Sequence, residues 1–64
     1  MNRLTLKAAR VNREISQTEA AKQLNIAPRT LRNWENGRTY PRVEALCALC
    51  RLYGVSPDDL VLPK

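Results

Sequence analysis

The sequence predicts an all-α fold, a compact bundle of five short helices in a single domain spanning residues 1–64. Three observations carry this. Apolar residues recur at helical spacing in successive short segments. No stretch alternates apolar and polar residues over the length of a strand. Helix start and stop signals punctuate the chain at short intervals. A chain of about 60 residues buries only roughly 60% of the surface it exposes when unfolded, so one small core is all this length allows.

The first helix is expected from about Asn2 or Thr5 to Asn12, with Leu6, Ala9 and Arg10 on one face. No Gly or Pro ends it, and Glu14 stands where a C-terminal Gly is convenient. Ser16-Gln17-Thr18-Glu19 then matches a capping box, in which the Ser oxygen and the Glu carboxylate cap each other's backbone N–H groups. Ile15 and Ala20 fit the accompanying hydrophobic staple. The second helix runs from Gln17 to Leu24, and its small Ala20 and Ala21 let a neighbouring helix approach closely. Asn25 tolerates left-handed backbone and so ends it.

Pro28 suits the first position of a third helix because its missing N–H has no helical partner there, although Ala27 is a poor cap. This helix ends at Asn36, with Gly37 as its stop. The turn from Asn25 to Ala27 has helix-turn-helix spacing. After a loop over 37–41, a fourth helix is expected from about Arg42 to Tyr53. Its apolar stripe is Val43, Leu46, Leu49, Cys50 and Tyr53, and Gly54 stops it. Ser56-Pro57-Asp58-Asp59 predicts a short fifth helix: Ser as cap, Pro first, acids in the first turn. Leu60, Val61 and Leu62 follow.

Charge is unevenly spread. The chain carries 11 basic and 6 acidic residues and no His, a net charge of +5. Nine of the basic and three of the acidic groups lie in residues 1–42, so nucleic acid or an anionic membrane becomes a candidate partner. The missing His removes the commonest general base and metal ligand. With no nucleophile–base pair visible either, an enzyme is the least expected class. The longest apolar run, Ala45 to Cys50, is far below the ~18–20 residues that span a bilayer. Arg3, Lys7, Arg10 and Arg13 interrupt any signal-peptide core, so the chain reads as cytoplasmic, without a membrane partner. Cys47 and Cys50 form a CxxC, but zinc wants four ligands and no other Cys or His exists. Lying inside an apolar stretch, they read as small buried hydrophobes, and no metal or cofactor is expected.

The third helix carries the informative face. At about 100° per residue, Pro28, Arg29, Arg32, Asn33 and Asn36 share one arc of roughly 140°. Leu31 and Trp34 lie opposite and must point inward. Arg can donate two hydrogen bonds to guanine, and Asn pairs similarly with adenine, from a helix that fits the major groove. A polar face also suits plain solvation of an amphipathic helix. The helix-turn signature, the four Arg against one Glu in residues 29–42 and the charge asymmetry favour DNA.

The chain resembles the Cro and repressor (lambda repressor-like, Xre) helix-turn-helix family of lambdoid phages and bacteria. The residues that carry the likeness are Leu6, Arg10, Ser16 through Ile26, Leu31, Trp34-Glu35-Asn36-Gly37, Pro41, Leu46 and Gly54-Val55-Ser56. They cover roughly residues 6–61. The resemblance implies base contacts from Gln17, Pro28, Arg29, Arg32 and Asn33. It implies phosphate contacts from Ser16, Asn36, Arg38 and Arg42. Tyr40, in the same loop, either donates to phosphate or packs on the loop. A structural salt bridge between Arg10 and Glu35 is also implied. Glu14 and Asn25 replace the family's usual Gly, so some backbone strain is expected at both. Ala27 lacks the usual hydroxyl, and Pro28 can touch only a thymine methyl, so base reading falls mostly on Arg29, Arg32 and Asn33.

The expected function is therefore sequence-specific binding of double-stranded DNA by a Cro-like repressor, in the nucleoid of a bacterium or phage-infected host. The short length leaves no room for a separate dimerisation domain or effector site. A homodimer on a near-palindromic operator is expected, with Leu60, Val61 and Leu62 as its interface. An antitoxin, a restriction-system controller or a protein-interaction module are the alternatives within the same fold.

Overall fold

A computed structural model describes residues 4–61. Four α-helices follow one another: α1 Leu6–Asn12, α2 Gln17–Leu24, α3 Pro28–Asn36 and α4 Val43–Tyr53. The expected fifth helix is a single 3-10 turn, Pro57–Asp59. It stops there because the next residues are extended: β2 (Leu60–Val61) pairs in parallel with β1 (Leu4–Thr5), Leu4 opposite Leu60 and Thr5 opposite Val61. Two residues are too few to show strand alternation, so this pairing of the two ends left no trace in the periodicity. It also shortens the first helix, whose cap is Thr5, its hydroxyl accepting from the Ala8 N–H at 3.1 Å.

Each boundary has a local cause. Ser16 caps α2 by accepting from the Glu19 N–H at 3.0 Å. The expected reciprocal half is replaced: the Glu19 carboxylate accepts from Gln23 Nε2, also at 3.0 Å, four residues along the helix. A reciprocal cap forms instead at Ser56, which accepts from the Asp58 N–H at 3.1 Å and donates its own N–H to Asp59 Oδ2 at 3.3 Å. Asn25, Gly37 and Gly54 end their helices in left-handed conformation, as the sequence suggested. Glu14 is left-handed too, at φ 57°, where a Cβ-bearing residue other than Asn or Asp is strained. Ala27 makes no side-chain cap.

The core gathers Leu6, Ala9, Ala20, Leu31, Trp34, Leu49 and Tyr53 from all four helices. Ala20 and Ala21 are both buried, so the small residues of α2 lie where other elements close in. Two expectations for α4 are corrected: Val43 in its apolar stripe and Cys47 as a buried hydrophobe. Val43, 74% exposed, occupies the first residue of α4, beyond the reach of the core. Cys47 is exposed while Cys50 is buried. At about 100° per residue, Cys47 falls roughly 130° from the centre of the Leu46–Leu49–Tyr53 stripe, so the two Cys are not a buried pair. Among the described residues, no helix is long and apolar enough to cross a membrane.

Candidate nucleic-acid interface

The amphipathicity of α3 sets the interface. Leu31 and Trp34 are buried in the core, which turns Arg29, Arg32 and Asn36 to solvent and leaves Asn33 half-buried. Arg29, Arg32, Asn33, Asn36 and Arg38 line one open cleft. Arg38 arrives from the loop because Gly37 reverses the chain in left-handed conformation. The Arg38 N–H then donates back to the Asn33 carbonyl at 2.9 Å, folding the loop over the end of α3. The cleft therefore holds three guanidinium groups and two carboxamides, and no acidic residue lines it. Pro28 stands exposed at the start of the same helix.

Behind this face, a buried ionic network fixes α3 against α1 and α2. Arg10 Nε donates to Glu35 Oε2 at 2.8 Å and Arg10 Nη2 to Oε1 at 3.4 Å, with the two side chains 10% and 2% exposed. The third guanidinium nitrogen, Nη1, donates to the Ile15 carbonyl at 2.8 Å, in the turn before α2. One bidentate Arg thus clamps α1, the α1–α2 turn and α3 together.

Gln17 joins this network, which the sequence did not indicate. Its Nε2 donates to Glu35 Oε1 at 2.9 Å. A carboxylate only accepts, so the amide nitrogen must face Glu35 and the carbonyl oxygen is left for other donors. Residues 17 and 35 sit on different helices and share no periodicity, so only the packing of α2 on α3 brings them together. Tyr53, an expected core residue, lies near enough to feel the charges of this network. Its hydroxyl is buried without a partner. Burial first, then the nearby Glu35 charge, push its pKa up to about 12 against the opposing pull of Arg10.

The remaining anticipated residues scatter. Ser16 is exposed but its oxygen is engaged in capping α2. Tyr40 and Arg42 do not join the Arg29–Arg38 cleft; they line a separate, largely apolar groove with Ile26, Trp34, Glu44 and Ala45. Leu60 is half-buried, packs on the domain's own core and pairs with Leu4, which leaves Val61, 39% exposed, as the outward residue of β2. Leu62 lies outside the described residues. Among the described residues, no group of three His, Cys, Asp or Glu side chains could hold a metal ion.

This architecture has a family. A helix-turn-helix family model, of the Xre or lambda repressor-like type, matches residues 6–60, nearly all of the chain. The chain belongs to that family. Among curated helix-turn-helix relatives, it is 41% identical over 56 residues to the HTH-type transcriptional regulator ImmR of Bacillus subtilis. It is 29% identical over 56 residues to the HTH-type transcriptional activator BcrR of Enterococcus faecalis. Each alignment takes in 88% of this chain, but only 44% of ImmR and 28% of BcrR. The chain thus spans less than half the length of these relatives. No solved structure gives a significant match. α2 and α3, with the turn between them, are the helix-turn-helix pair, and the Gln17–Glu35 hydrogen bond joins them beside the Arg10 ion pair.

Proposed function

We propose that this helix-turn-helix protein binds double-stranded DNA sequence-specifically and regulates transcription as a Cro-like repressor, by occupying its operator. The single observation that carries this is the acid-free cleft of Arg29, Arg32, Asn33, Asn36 and Arg38 on the outer face of α3. Seated in the major groove, α3 offers Arg29 and Arg32 to guanine and Asn33 to adenine, with Pro28 against a thymine methyl. Gln17, held by Glu35 through its amide nitrogen, keeps its carbonyl oxygen for a base contact. Ser16, Asn36, Arg38, Tyr40 and Arg42 follow the phosphates, and their charge supplies affinity that falls with salt.

Two copies bind a near-palindromic operator with half-sites one helical turn apart, about 34 Å. The outward Val61 together with Leu62 is the proposed contact between them, Leu60 serving the monomer's own core. The family membership and the relatives' names, a transcriptional regulator and a transcriptional activator, support the regulatory assignment. The second of those names favours activation as an alternative outcome at the promoter.

Selection of bound sequences from a random double-stranded pool tests all of this at once. The expected result is a motif of two inverted half-sites. Equal retention of every sequence would refute base reading, and a single unpaired half-site would refute the dimer. A reporter carrying the selected site upstream of a promoter then separates repression from activation.

A further inference from the structure

The two thiols of α4 have no part in the proposed DNA site. Cys47 is exposed and Cys50 is only 5% exposed, both are free, and both line one shallow groove with Arg51, Gly54 and Val55. That groove shares no residue with the basic cleft. Three residues apart on a helix, the two side chains start from Cβ atoms about 5–6 Å apart. A disulfide needs roughly 3.5–4.5 Å between Cβ atoms, so oxidising the two thiols to each other would strain α4. Both cysteines line the same groove, so one ion seated there can reach both.

Sulfur selects soft cations. Zinc takes four ligands, and no third His, Cys, Asp or Glu completes such a set among the described residues. A two-coordinate cation needs only two thiolates. We infer that Cys47 and Cys50 form a two-thiolate site for one soft, monovalent d10 cation of the Cu(I) class. Burial, and then the neighbouring Cys47 and Asp59, raise the Cys50 thiol, so it enters the reaction protonated. Capture is an exchange: two S–H bonds break, two S–metal bonds form, two protons leave to solvent and no electron moves. The site stands independently of the DNA assignment.

The test uses the reduced full chain under anaerobic conditions. It is titrated with Ag(I), a redox-inert member of the class, and with Cu(I) against a colorimetric Cu(I) chelator. The expected result is one ion per chain, whatever the number of chains in solution, and protection of the exposed Cys47 from a thiol reagent. Cys47→Ser, at an exposed position outside the core, should weaken binding by about 100-fold or more. Cys50→Ala, with its helix content checked by circular dichroism, should do the same. An ion shared between two chains, unchanged affinity in Cys47→Ser, or complete retention of Cu(I) by the chelator would each overturn the proposal.

Discussion

Replacing Glu35 by Leu strips Arg10 of its one ion-pair partner among the described residues, in a site where the two side chains are 10% and 2% exposed. At that burial water cannot take over the guanidinium, so solvent screening does not shrink the effect as it does for surface pairs. Breaking a buried pair by removing one partner costs about 3–5 kcal/mol. A domain of this size holds roughly 3–10 kcal/mol in all, at about 0.05–0.15 kcal/mol per residue. Glu35→Leu is therefore expected to leave the chain close to unfolded at 25 °C.

Urea unfolding followed by the fluorescence of Trp34, the only Trp and a buried one, measures this directly. With m near 1 kcal/mol/M for a small domain, the midpoint should fall by about 3 M or more. The double variant Arg10→Met/Glu35→Leu removes both charges and should recover most of the loss. A residue of about 1 kcal/mol should persist, because the Ile15 carbonyl loses its Arg10 donor. A loss below about 1 kcal/mol in the single variant would refute the clamp, since that is the size of an exposed pair. So would a double variant as unstable as the two singles added together.

Tyr53 should make the domain alkali-sensitive. Its folded pKa of about 12 exceeds the ordinary 10, so stability is present at neutral pH and is lost as pH rises from about 10 to 12, by up to roughly 3 kcal/mol. Tyr53→Phe should flatten that part of the unfolding profile and, by removing an unpartnered buried hydroxyl, should not destabilise the protein at neutral pH. Glu14→Gly should raise the melting free energy by up to about 1 kcal/mol by relieving left-handed strain, while Asn25→Gly, where Asn already tolerates αL, should change it little. Equal effects would discount the strain at Glu14. In DNA titrations Arg29→Ala should cost about 1–3 kcal/mol on the selected site and relax base preference. Arg38→Ala should weaken all sequences and flatten the salt dependence. Equal loss on specific and random DNA for Arg29→Ala would exclude base reading by that residue. A thiol reagent should modify Cys47 rapidly in the native protein and Cys50 only on unfolding, and simultaneous modification would contradict the packing of α4.

Where helices begin and end was legible wherever a local signal sets it. Ser16, Asn25, Pro28, Gly37 and Gly54 act within a few residues of themselves, through caps and left-handed turns that the chain carries in any context. The outward face of α3 was legible for a related reason: burying Leu31 and Trp34 leaves Arg29, Arg32 and Asn36 no other direction. The α4 stripe was read less well, because periodicity says which side chains share a face but not how far the core extends beneath it. Val43 lies past that limit, and Cys47, expected buried, sits on the other side of the helix.

The sequence by itself determined a small basic helical domain with a capped helix-turn-helix and a polar, arginine-rich third helix. Only the tertiary structure decided that its two ends pair as β1 and β2, so that the last segment is a 3-10 turn and an edge strand. It alone brought Gln17 onto Glu35 beside Arg10, gathered Arg38 but not Arg42 into the cleft, and separated Cys47 from Cys50 by burial. The physical reason is range. Caps and turns act between neighbours along the chain, whereas strand pairing, buried charge and cleft lining join residues that only packing brings near.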